Sequence, residues 1–162
     1  MFEDSLRQQA EALLAALRSR GLMITTAESC TGGLIAGLLT EIAGSSDVVE
    51  RGFVTYSNDA KHQMLGVPSD LIARHGAVSE EVARAMAEGA LANSQAGLTV
   101  AVTGVAGPGG GTPAKPVGLV HVAVAATNAP TRHQELRLGD IGRSGVRTET
   151  IRHALDLVRA GL

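Results

Sequence analysis

Ser29 sits in the run Glu28-Ser29-Cys30-Thr31-Gly32-Gly33, behind a short β-branched stretch and ahead of an apolar segment. A serine hydroxyl that emerges where a buried strand turns into a glycine-opened helix is placed to act as a nucleophile. The free N–H groups of the helix start could then hold an oxyanion. The GxSxG spacing of a nucleophile elbow is absent, and serine is also a favoured helix cap, so spacing alone leaves both roles open.

A serine nucleophile needs a base. The five histidines are scattered: His121 falls in an apolar strand as a core or edge residue, and His62, His75, His133 and His153 read as exposed. Lysine is the candidate instead, because the chain has only Lys61 and Lys115 against twelve arginines. A desolvated lysine can give up its proton at a usable pH, which arginine cannot. Lys61 follows a strand ending at Tyr56, the one tyrosine of the chain. If that strand lies beside the one ending at Ser29, the amine and the phenol both approach the serine hydroxyl; a solvated Lys61 and an interfacial Tyr56 fit the spacing equally.

The third feature is the loop from Gly104 to Val117, with five glycines and three prolines. Such a loop after a strand can turn successive N–H groups toward an anion, with hydroxyls from Thr103 and Thr112. It lacks the GK[ST] of a Walker loop and the helix that follows a dinucleotide-binding turn. A flexible surface connection is the other reading.

The elements that must position these residues follow from periodicity. Leu6, Ala10, Leu13, Leu14 and Leu17 mark one face of a helix over about 3–19, stopped by Gly21. Leu22 to Ala27 reads as a strand covered on both faces, and Thr31-Gly32-Gly33 opens a helix reaching Ile42. Gly52 to Tyr56 is a strand, and Ser57-Asn58-Asp59 caps a helix with Lys61 in its first turns. Helices are expected over Pro68 to His75 and from Ser79 to about Ser94. Strands are expected over Leu98 to Thr103, Gly118 to Ala126 and His133 to Leu138, the last two joined by a hairpin at Thr127 to Thr131. Val146, Thr150, Ala154, Leu155 and Val158 stripe a final helix. Helices interleaved with strands predict an α/β fold: one domain over 1–162, a three-layer α/β/α sandwich with a mixed, mostly parallel sheet.

Bulk properties narrow the function. A net charge of −2 and 2% aromatic residues provide neither a basic field nor a stacking surface, so nucleic acid is not an expected partner. Cys30 is the only cysteine, which excludes an internal disulfide and any CxxC metal site and suits a reducing compartment. In a helix's first turn its thiol could have a lowered pKa, against the reading of a small buried residue. No apolar run spans a membrane and no signal peptide is evident, so a cytoplasmic protein is expected.

The motifs Thr26-Ala27-Glu28-Ser29-Cys30-Thr31-Gly32-Gly33, Val54-Thr55-Tyr56-Ser57-Asn58-Asp59-Ala60-Lys61, Gly76-Ala77-Val78-Ser79-Glu80 and Thr103-Gly104-Val105-Ala106-Gly107-Pro108-Gly109-Gly110 together resemble the CinA C-terminal domain family, over about residues 5–160. That family includes stand-alone nicotinamide-mononucleotide amidases, and the chain looks like the stand-alone form, without the additional N-terminal domain of many CinA proteins. The resemblance implies deamidation of nicotinamide mononucleotide to nicotinate mononucleotide and ammonia, in pyridine-nucleotide salvage. Ser29 is then the nucleophile, Lys61 its base, and Tyr56 a relay or orienting group. N–H groups near Thr31 and Gly32 would hold the oxyanion. Further substrate contacts are expected from Gly33, Asn58, Thr103, Gly104, Gly107, Gly109 and Gly110, and Lys115, Arg143 and Arg147 compete as partners of the phosphate. No metal or organic cofactor is implied. The alternative is a catalytically weak, nucleotide-binding regulatory module; the glycine-rich loop and small-residue helices would tolerate a homodimer or higher homo-oligomer.

Overall fold

A computed structural model describes residues 1–162. In chain order the elements are α1 (Asp4–Ser19), β1 (Ile24–Glu28), α2 (Leu34–Glu41), β2 (Val49–Val54), α3 (Asn58–Leu65), α4 (Ser69–His75), α5 (Glu80–Ala92), β3 (Leu98–Gly104), β4 (Leu119–Ala126), β5 (Ala129–Arg137) and α6 (Arg143–Arg159). The strands form one mixed sheet in the order β2-β1-β3-β4-β5. β1 pairs in parallel with β2 and β3, whereas β4 pairs antiparallel with β3 and β5. Parallel and antiparallel pairings are therefore equal in number, although only β4 runs against the other four strands.

Side-chain alternation sorts the core into two clusters. Val100 and Val102 of β3, with Val120, Val122 and Val124 of β4, pack with α1, α2 and α6 residues such as Leu13, Leu38 and Ile151. Ala101, Ala123 and Ala125 lie in the second cluster with Leu65 of α3, Ile72 of α4 and Met86 of α5. Period-two alternation sends successive side chains to opposite sheet faces, so one face is built of valines and the other of alanines. The small residues let helices approach closely: a Cβ on Gly89 of α5 would overlap the Leu65 carbonyl.

β1 runs Ile24–Glu28 rather than Leu22 to Ala27, and three further boundaries differ from the sequence expectation. α2 starts at Leu34 rather than Thr31, because Gly32 (φ +60°) and Gly33 (φ +95°) take left-handed conformations that a right-handed helix cannot include. β5 begins at Ala129 rather than His133, since the hairpin turn is only Thr127-Asn128, with Asn128 at φ 61°. β2 lies at Val49–Val54, a few residues earlier than expected, paired with β1 from Ile24 to Glu28 with a register shift between Ile24 and Thr25. No helix is long and apolar enough to cross a membrane.

Candidate active site

β1 and β2 run in parallel and end side by side, Glu28 opposite Val54. The segments that leave them, Ser29 to Gly33 and Thr55 to Ser57, therefore share one end of the sheet, where open α/β sheets hold their ligands. The Ser29 N–H continues the ladder by donating to the Val102 carbonyl at 3.1 Å, and the Thr55 N–H donates to the Glu28 carbonyl at 2.9 Å. Both functional segments are thus anchored by backbone before any side chain is considered.

Ser57 caps α3 by accepting from the Ala60 N–H at 3.0 Å. One turn into that helix, Lys61 points back under the sheet edge, with only 1% of its surface exposed. Its Nζ lies 3.0 Å from Ser29 Oγ, 2.8 Å from the Thr55 carbonyl and 3.5 Å from the Tyr56 carbonyl. Burial pushes the amine below its ordinary pKa, because desolvation penalises the ammonium; a weaker interaction with Cys30 opposes this. A neutral amine can donate to the two carbonyls and keep its lone pair for the Ser29 hydroxyl.

The tight turn has its own support. Glu28 is fully buried at the end of β1, and its carboxylate accepts from Thr31 Oγ1 at 2.7 Å, Thr26 Oγ1 at 3.3 Å, and the Ile35 and Ala36 N–H groups at 2.8 and 3.0 Å. A strand side chain thus satisfies the orphan donors of α2 that a cap would ordinarily serve. These contacts engage part of the helix start that was expected to hold the oxyanion. The start of α2 is occupied by Glu28, and the Gly32 N–H donates to the Ser29 carbonyl at 3.0 Å. The Cys30 N–H makes no backbone hydrogen bond, and Cys30 lines the cavity beside Ser29.

A cavity of about 290 Å³ is lined by Ser29, Cys30, Tyr56, Val78, Arg143 and the Gly104–Gly110 stretch except Pro108. Gly104, Gly107, Gly109 and Gly110 line it together with Ser29. Other expected contacts do not. Thr31 and Thr103 are buried with their hydroxyls donating to Glu28 and to the Ala77 carbonyl. Asn58 lines a separate hollow with Asp59, Ser69 and Ile72. Gly32 and Gly33 serve the turn by their backbone conformations. Lys115 reaches the His75 carbonyl at the end of α4, and Arg147 donates to the Thr31 carbonyl at 3.1 Å.

Tyr56 is 62% exposed, and its hydroxyl accepts from the Arg143 guanidinium at 3.1 Å. No hydrogen bond joins the phenol to Ser29 or Lys61; the tyrosine meets the lysine only through its carbonyl. Cys30 is 6% exposed, and burial pushes its thiol up to about 11, so the small-buried-residue reading holds and the lowered pKa does not. Of the four histidines expected to be exposed, only His62 is; His75, His133 and His153 are half-buried. His121 is a core residue whose Nδ1 lies 2.9 Å from His133 Nε2, with the rings stacked.

Sequence reasoning missed Glu28, Val78 and Val105. A lone carboxylate ending an otherwise uncharged strand is the available signal for Glu28; nothing local marks the two valines. A larger hollow of about 500 Å³ over α5 and the β4–β5 hairpin is mostly apolar; its polar lining is Glu88 and Thr131, whose hydroxyl donates to the Glu88 carboxylate at 2.7 Å.

The sequence profile described as CinA C-terminal domain matches residues 6–162. A CinA-like protein of Anaeromyxobacter dehalogenans is 47% identical over all of this chain, which spans 39% of that relative. The chain covers about two fifths of the length of several such relatives. By contrast it covers 93% of the nicotinamide-nucleotide amidohydrolase PncC of Escherichia coli K12, at 49% identity over 96% of its own length. The crystal structure of the competence/damage inducible protein CihA from Agrobacterium tumefaciens superimposes with a TM-score of 0.97 at 55% identity, covering 99% of this chain and 97% of that one.

Proposed function

Since this chain belongs to the CinA C-terminal domain family, we propose that it is a nicotinamide-nucleotide amidohydrolase, converting nicotinamide mononucleotide and water to nicotinate mononucleotide and ammonia. Its likeness to the E. coli amidohydrolase supports the substrate. The observation that carries the chemistry is the 3.0 Å approach of a buried, pKa-lowered lysine amine to Ser29 Oγ.

In this reading Ser29 Oγ attacks the carboxamide carbon while Lys61 takes its proton. The tetrahedral oxyanion is held by the open Cys30 N–H, which belongs to the residue after the nucleophile, as in a nucleophile elbow. The Lys61 ammonium then returns the proton to the departing nitrogen, and ammonia leaves an acyl-Ser29 ester. Lys61 next deprotonates a water that attacks the ester, releasing nicotinate mononucleotide and restoring the hydroxyl. Tyr56 contributes a carbonyl toward Lys61 and a phenol toward Arg143 rather than a relay. The two core clusters support a three-layer α/β/α arrangement within one domain over 1–162. A single free cysteine supports a cytoplasmic setting.

The deciding measurement is ammonia release from nicotinamide mononucleotide by the wild type and Ser29→Ala. The wild type should turn over, and the variant should lose about three or more orders of magnitude. An unaffected variant would remove Ser29 from the mechanism. A wild type that binds the nucleotide and releases no ammonia would instead establish the regulatory-module reading.

A further inference from the structure

The cavity beside Ser29 has a marked charge asymmetry. No carboxylate lines it, the Ser29 end is backed by an amine that burial holds toward neutrality, and its one permanent charge is the Arg143 guanidinium. Arg143 is the first residue of α6, exposed to solvent, and that helix has no acidic residue in its first turn and no side-chain cap.

The guanidinium is held in place without being used up. One terminal nitrogen donates to the Gly107 carbonyl at 2.8 Å and the other to the Tyr56 hydroxyl at 3.1 Å. Five N–H donors in a rigid fork leave about three after these two bonds. The other candidates do not line this cavity. Arg152 is paired with Glu3 and Glu149, Arg147 is turned to the Thr31 carbonyl, and Lys115 to the His75 carbonyl. A pre-placed guanidinium with spare donors and no carboxylate partner matches a phosphate better than a neutral group.

We propose that Arg143 is the anchor for the phosphomonoester of the substrate and sets the preference for the phosphorylated nucleotide over its nucleoside. This rests on the amidohydrolase reading for its substrate, though not for its anion. Because the same guanidinium joins the glycine-rich loop to Tyr56, phosphate binding also steadies two walls of the cavity around the ring that carries the amide.

The test compares kcat/KM for nicotinamide mononucleotide and nicotinamide riboside in the wild type, Arg143→Gln, Arg143→Lys and, as a control on the far side of α6, Arg152→Gln. The ratio of the two substrates should fall about 10- to 100-fold in R143Q, less in R143K, which keeps a point charge without the fork, and not in R152Q. A ratio unchanged in R143Q would overturn the proposal and reduce Arg143 to a brace for Tyr56 and Gly107. Circular dichroism checks that each variant folds, and R143K carries the comparison if R143Q does not. If the wild type releases no ammonia from either compound, the amidase reading fails while the anion site is still read by titration with ribose 5-phosphate. Saturable binding lost in R143Q supports the anchor; no binding to the wild type, or equal binding to both, overturns it.

Discussion

At the scale of the residue, Lys61 concentrates most of the chemistry. Its amine is buried, faces two carbonyls and one hydroxyl, and is pushed below its ordinary pKa chiefly by desolvation. The deprotonated form is the base, so kcat/KM should rise with pH and level off below the range of a solvated lysine. A pH profile that is flat, or that rises only through the ordinary lysine range, would contradict this. Lys61→Arg should be nearly as damaging as Lys61→Ala, lowering ammonia release about 1,000-fold, because guanidinium holds its proton at every working pH. Glu28 makes a different contribution. Glu28→Gln keeps the shape but turns an amide N–H₂ toward donors, so it should cost about 1–3 kcal/mol in a denaturant titration. It should also lower kcat about 10- to 100-fold through a shifted Ser29, with KM less affected.

At the scale of the element, what matters is how closely the pieces approach. α5 crosses the alanine face of the sheet, and Gly89 lies where any side chain would run into the Leu65 carbonyl at the end of α3. Because α3 carries Lys61, Gly89→Ala should do more than destabilise. We expect a loss of about 3 kcal/mol in thermal or denaturant unfolding, with a drop in kcat as α3 is pushed from Ser29. A variant that matched the wild type in both would show that the two helices part at little cost. Most elements are legible from periodicity: the leucine stripe of α1 and the serine caps of α3 and α5 appear where the sequence puts them. The start of α2 is not legible that way, because Thr31-Gly32-Gly33 reads as a helix opening until the positive φ of both glycines is known.

For the whole molecule, the buried ionisable groups shape stability against pH. His121 and His133 are both held below the ordinary imidazole pKa, first by burial; for His121 the neighbouring His133 adds to the effect. Glu80 and Glu135 oppose the shift at both rings. The unfolded chain therefore binds more protons than the folded one between the depressed and ordinary values, so stability rises with pH through that window and is lost as pH falls through it. Melting temperatures measured from pH 7 down to pH 5 should fall, and His133→Gln should flatten the slope. Lys61 acts with the same sign in the alkaline range, where its depressed folded value makes the native state more stable as pH rises toward the ordinary lysine pKa.

The amino-acid sequence by itself determined which residue types were available for catalysis: one serine at a strand-to-helix junction, two lysines, one tyrosine and a glycine-rich loop. It also determined the α/β alternation, because period and composition are local properties of the chain. Tertiary structure decided the partnerships. Parallel pairing of β1 with β2 brings Ser29 and Lys61, 32 positions apart, to hydrogen-bond distance. The remote N-terminus of α6 brings Arg143 to Tyr56 across 87 positions, and the phenol expected beside the lysine faces the arginine instead. Strand order and helix packing depend on the whole chain at once, and no local spacing encodes which of several cations ends beside a given hydroxyl. Ser29 could be singled out from its neighbours in sequence; its surroundings could be read only after the sheet had closed around it.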